Sequence, residues 1–118
     1  MIKAEFTKAE GDYIRLDITG HAGQARIGQD IICSAASILA YTLAQTVTYL
    51  HKQGWLRAKP VISLKSGRGT ICCSPKRDYF EECLMAFFEI EVGYSLLNHN
   101  YPKHVELKMF GDPEKDKV

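Results

Sequence analysis

Three stretches of the chain alternate between apolar and polar positions. Ile2, Ala4 and Phe6 are interleaved with Lys3, Glu5 and Thr7, the period of a strand with one face buried. Ile14, Leu16 and Ile18 alternate in the same way with Arg15, Asp17 and Thr19. Glu10-Gly11-Asp12 lies between the two stretches as a turn, so they are expected to pair as a hairpin. Val105, Leu107 and Met109 repeat the pattern with Glu106 and Lys108 as a last strand. Pro60 opens a further extended run over Val61 to Lys65, Ser66-Gly67-Arg68-Gly69 reads as a hairpin connection, and Thr70 to Cys73 returns.

Two segments carry a helical period instead. Ile32, Ala36, Leu39, Leu43, Val47 and Leu50 form one stripe, flanked by Ile31, Ala35, Ile38 and Tyr41. Asp30 is a good N-cap for this helix and Gly54 a natural left-handed stop, which predicts a helix from Asp30 to Gln53. Its apolar surface is wide enough to need cover on more than one side. The second helix is predicted to start at Ser74-Pro75, with Ser as cap and Pro at the first position. It buries Phe80, Cys83, Leu84, Phe87 and Tyr94 and turns Glu81, Glu82, Glu89 and Glu91 to solvent. Gly93 inside it signals close packing against a neighbour.

The predicted order is ββαββαβ, and one-sided alternation argues for an α+β fold. A mostly antiparallel sheet carries both helices on one face. One domain over 1–110 and a flexible polar tail over 111–118 account for the chain.

Composition narrows the classes of function. The 118 residues are 46% hydrophobic and 25% charged, with a net charge of +1, so no strong attraction to nucleic acid or an acidic membrane surface is expected. Ile31 to Leu50 lacks Asp, Glu, Lys and Arg, but its Ser, Thr and Gln residues favour a buried helix over a membrane span. Met1 to Glu5 contains no continuous apolar run, so no signal peptide is expected. The four cysteines, Cys33, Cys72, Cys73 and Cys83, show neither a disulfide framework nor metal spacing. Reduced thiols in a cytoplasm are expected, with no metal and no cofactor.

The candidate chemistry lies between Gly20 and Ser37. His21 follows a strand end, Ala22 to Gln29 is read as a loop with Gly23 and Gly28 as hinges, and Cys33 falls in the first turn of the helix. The positive end of the helix dipole and a nearby imidazole both favour a thiolate. The backbone N–H groups of Cys33 and Ser34 are candidates to bind an oxyanion. Asp30 has two open readings, helix cap or orienter of His21. Ser37, one turn after Cys33, is placed to hydrogen-bond substrate or a catalytic group. Arg26 has three open readings, added positive potential near the thiolate, a grip on substrate or a solvated loop arginine, and Gly20 is grouped with Ser34 and Arg26 as a substrate-binding or oxyanion candidate.

Gly20-His21-Ala22 followed by Asp30-Ile31-Ile32-Cys33-Ser34-Ala35-Ala36-Ser37 resembles the signature of the bacterial ribosomal-processing cysteine proteases, and the resemblance extends over nearly the whole chain. It implies a cytoplasmic, homodimeric thiol endopeptidase that removes the N-terminal extension of a large-subunit ribosomal protein. The family's nucleophile and base fall on Cys33 and His21, and its motif Asp and Ser on Asp30 and Ser37. Ser34 departs from the Ala often found there. Two other readings compete: a non-catalytic ribosome-associated module that only holds the peptide, and a thiol redox sensor, which needs a second cysteine beside Cys33.

Overall fold

The structure, a computed structural model, describes residues 1–21 and 27–112, with the side chains of residues 27–30 left aside. Its elements are β1 (Ile2–Ala9), β2 (Tyr13–Thr19), α1 (Ile27–Lys52), β3 (Val61–Lys65), β4 (Arg68–Cys73), α2 (Phe80–Asn100) and β5 (Val105–Lys108). This is the expected ββαββαβ order. The five strands form one sheet in the order β3-β4-β2-β1-β5, antiparallel except for the β1–β5 pair.

The alternation of apolar residues fixes which face of the sheet is covered. Ala4 stands opposite Ile18 and Phe6 opposite Leu16, so the apolar sets of β1 and β2 share a face. Ile2, Ala4, Phe6, Ile14, Leu16, Ile71 and Cys73 are buried there beneath the helices. The opposite face is polar. On it Arg15 donates to Asp17 at 2.7 Å, Thr70 donates to Asp17 at 2.8 Å and Lys108 pairs with Glu5 at 3.0 Å.

α1 contributes Ile32, Ala36, Leu43 and Val47 to the core, with Leu39 and Leu50 partly buried. Ile31 to Lys52 is long and apolar enough to cross a bilayer, yet its stripe packs on the sheet and on α2. The two helices are joined where the Tyr94 hydroxyl donates to the Ala36 carbonyl at 2.7 Å. Gly93 lies so close to Leu39 that a β-carbon there would stand 2.5 Å from Leu39 Cδ2, the close approach its position in the helix predicted. Gly54 takes a φ of +81° just beyond α1, as a left-handed stop requires.

Several boundaries differ from expectation. α1 begins at Ile27, so Asp30 stands inside the helix and is not its N-cap, and the stretch read as a loop is helical from residue 27. Residues 22–26 and 113–118, which include Gly23, Arg26 and most of the expected tail, lie outside the described residues. Ser74 does not cap a helix. Its carbonyl accepts from Arg57 N–H at 2.8 Å, and Lys76 N–H donates to the Trp55 carbonyl at 2.9 Å. That segment spends its hydrogen bonds on a bridge between Leu56 and Pro75, and α2 starts only at Phe80 after a short 3₁₀ turn over Arg77–Tyr79. Glu91, expected in solvent, is buried and accepts the Phe110 N–H at 2.8 Å. The last turn over Met109 to Asp112 folds back against α2, and the buried carboxylate satisfies one of its donors.

Candidate active site

β2 is followed directly by Gly20, a position only glycine fits. Its φ is +87°, and a β-carbon would overlap the Met1 carbonyl oxygen. Gly20 N–H donates to the Gly67 carbonyl at 2.9 Å, which ties the end of β2 to the turn between β3 and β4. His21 follows directly and is exposed. Its ring lies on Gly67: a β-carbon at 67 would stand 2.6 Å from His21 Nε2.

α1 forms the facing wall. Cys33 is half-buried, and Ser37 lies one turn further along. A cleft of about 370 Å³ is lined by Gly20, His21, Cys33 and Ser37, together with Tyr41 and residues 64–69 of the β3–β4 hairpin. The small residues Ala36 and Ala40 keep its floor open. His21 and Cys33, separated along the chain by residues 22–32, thus face one cavity, although no hydrogen bond joins them among the described residues.

Other expected site features fall differently. Cys33 lies nearly two turns into α1 rather than in its first turn. The N–H groups of Cys33 and Ser34 therefore fall where a helix takes them for its own i→i−4 bonds, and the oxyanion role expected of them loses its basis. Ser34 is exposed and does not line the cleft. The side chains of Asp30 and Arg26 lie outside the described residues. Among the described residues, no cluster of three or more His, Cys, Asp and Glu side chains is arranged to hold a metal ion.

The sequence reading missed the hairpin wall. Leu64, Lys65, Ser66, Gly67 and Arg68 all line the cleft, and Lys65 and Arg68 bring positive charge to its mouth. The two glycines of Gly67-Arg68-Gly69 were the available signal. A two-residue turn explains Gly67, with its φ of +75°, but not Gly69 inside β4. There a β-carbon would press on Leu64 at 2.9 Å.

A family model described as cysteine protease Prp matches residues 1–106. The chain belongs to the Prp cysteine protease family. It is therefore a cysteine protease, and Prp structures carry the same fold. The essential ribosomal processing protease Prp from S. aureus, solved with a covalently linked product peptide, superposes with a TM-score of 0.69 at 21% identity, covering 93% of this chain and 99% of that one. The same S. aureus protease with a substrate peptide gives 0.65 at 18% identity, over 93% and 99% of the two chains. SMU.848 from Streptococcus mutans gives 0.63 at 27% identity, over 93% and 95%. No match is found among curated proteins.

Proposed function

We propose that this chain is the endopeptidase that trims the N-terminal extension of a large-subunit ribosomal protein, with Cys33 as nucleophile and His21 as general base and acid. The observation that carries the reading is the placement of both side chains on one cleft in a chain of the Prp family. Solved relatives of the same fold carry a substrate peptide or a covalently linked product peptide, which supports a polypeptide substrate here.

In this reading the Cys33 sulfur attacks the scissile carbonyl carbon, and His21 takes the thiol proton. The tetrahedral intermediate collapses as His21 returns that proton to the departing amine, leaving a thioester on Cys33. Water then attacks the thioester with His21 again accepting a proton. The proton passes to the sulfur, and the extension leaves as a carboxylate. Ser37 supplies a hydrogen bond to substrate from the same wall, and Asp30 orients His21 when the site is assembled. His21 directly follows Gly20, whose N–H is held by the Gly67 carbonyl, so the main chain that carries the base is anchored beside the cleft.

We further place the enzyme in the cytoplasm, where its substrate is made, and read it as a homodimer. Ile31, Ile38, Tyr41 and Tyr49 on α1 and Met85, Phe88, Val92 and Leu96 on α2 are all exposed, more apolar surface than a single chain covers. Sedimentation of the parent against Ile38→Glu and Leu96→Glu tests this, and a monomeric parent refutes it.

The enzymatic reading is tested by incubating a synthetic peptide that spans the extension and its junction with the parent, Cys33→Ala and His21→Ala. Cleavage by the parent alone, with both variants folded, is the expected result. Undiminished cleavage by Cys33→Ala overturns the reading. Stoichiometric binding with no product from any of the three points to a peptide-holding module instead.

A further inference from the structure

We propose that Gly67, at the tip of the β3–β4 hairpin, is a positioning residue for the His21 imidazole, and that its bare α-carbon sets where that ring stands over the cleft. The proposal rests on the reading of His21 as the base. Gly67 reaches that histidine by two routes. Its carbonyl accepts the Gly20 N–H at 2.9 Å, which fixes the main chain one residue before His21. Its α-carbon supports the ring itself: a β-carbon there would stand 2.6 Å from Nε2, 3.2 Å from Cε1 and 3.4 Å from Cδ2.

Three ring atoms on one side of a single β-carbon leave little room for a small adjustment. A methyl group at 67 excludes the present ring position, and the imidazole must turn about its side-chain torsions. Nε2 is the atom most affected. Proton transfer needs donor and acceptor about 2.6–3.2 Å apart, and a misplacement of about 1 Å costs on the order of a hundredfold in rate. His21 is exposed, so its ring turns into solvent without opening the core. Catalysis and folding stability are therefore affected to different degrees.

The chain contains its own control. Gly11, in the β1–β2 turn, has a φ of +74° against +75° for Gly67, but no atom lies within 4 Å of its would-be β-carbon. Gly11→Ala carries the backbone strain without the collision. Gly67→Asn keeps the collision while relieving strain, because Asn tolerates the left-handed region.

The experiment measures kcat and KM on the synthetic extension peptide for the parent, Gly11→Ala, Gly67→Ala, Gly67→Asn and His21→Ala, with urea midpoints for each. It also follows the pH dependence of Cys33 alkylation by iodoacetamide. Both Gly67 variants are expected to lose about tenfold to a hundredfold in kcat, with KM within about threefold. Their alkylation profiles should move toward that of His21→Ala, and the urea midpoint of Gly67→Ala should match that of Gly11→Ala. Parent kcat in either folded Gly67 variant overturns the proposal. So does a loss confined to KM with the parent's alkylation profile, the mark of a cleft merely obstructed. Full turnover by His21→Ala instead removes the reading on which the proposal stands, a result distinct from the other two.

Discussion

Gly93→Ala tests the helix–helix contact that holds the cysteine wall of the cleft in place. Two effects oppose each other. Replacing an interior helical glycine by alanine favours the helix by about 1 kcal/mol. Against that, the new methyl would stand 2.5 Å from Leu39 Cδ2, 3.0 Å from Cδ1 and 3.3 Å from Cγ. The whole end of the leucine is in the way, so rotating one methyl does not clear it. Overpacking of this kind costs about 1–3 kcal/mol. Leu39 is only partly buried and can swing outward, which puts the cost near the middle of that range. The net expectation is a destabilisation of about 1 kcal/mol. In a Leu39→Ala background the obstruction is gone and only the helix term remains, so the same substitution should stabilise by about 1 kcal/mol. The sign reversal gives a coupling of about 2 kcal/mol between two residues in contact. Urea unfolding of the four proteins, followed by helical circular dichroism with a common slope, reads the cycle. Additive effects, or a stabilising Gly93→Ala in the parent, refute the close packing of α1 on α2 at this point.

Tyr94→Phe removes the hydroxyl that donates to the Ala36 carbonyl at 2.7 Å; the expected cost is about 1 kcal/mol, seen as a melting point lower by roughly 4 °C, and an unchanged melting point contradicts it. Burial raises the Glu91 carboxyl above its ordinary value, outweighing the Phe110 N–H that lowers it, with Asp112 adding to the rise. The folded state thus holds that proton more tightly than the unfolded chain. The associated stability is complete below the ordinary glutamate range and is lost as pH climbs through the raised value. Gln accepts the same N–H without this loss, so the urea midpoint of Glu91→Gln should gain on the parent's between pH 4 and pH 7; parallel midpoints refute the assignment. Leu43→Ala, at a fully buried site on α1, should cost about 2–5 kcal/mol, and a loss under 1 kcal/mol in urea unfolding contradicts the core described for that helix.

The fold was legible where a period was sustained. Alternation along residues 2–7 and 14–19 predicted a half-buried hairpin, and that hairpin is the centre of the sheet. Gly93 was legible because a glycine in a strong helix has few reasons to be there other than contact. The α1 boundary was misread because Asp30 has the right chemistry for a cap, and Gly28 argued against helix before it. Ser74-Pro75 failed for a different reason: the hydrogen bonds of that backbone go to residues 55–57, and no local pattern announces a partner so far away. Glu91 was hidden likewise, since its donor comes from Phe110, beyond the end of α2.

The candidate site was legible in part for the same reason. His21 and Cys33 stand on either side of one short stretch, so the sequence itself suggested that they meet. The hairpin wall, residues 64–69, enters from more than thirty residues beyond Cys33, and the part of it against the His21 ring is a glycine. Gly67 acts by lacking a side chain, and a missing side chain carries no chemical motif. What marked it was a second glycine, Gly69, just past a turn that needed only one.

The proposed chemistry runs through a thioester on Cys33, and trapping it is the most direct test. The parent is mixed with the synthetic extension peptide, quenched in acid within the first turnovers, and mapped by mass spectrometry. The account predicts an adduct with the mass of the released extension, less water, on Cys33 alone, absent from Cys33→Ala. An adduct on Cys72, Cys73 or Cys83, or product formed at the parent's rate by Cys33→Ala, contradicts it.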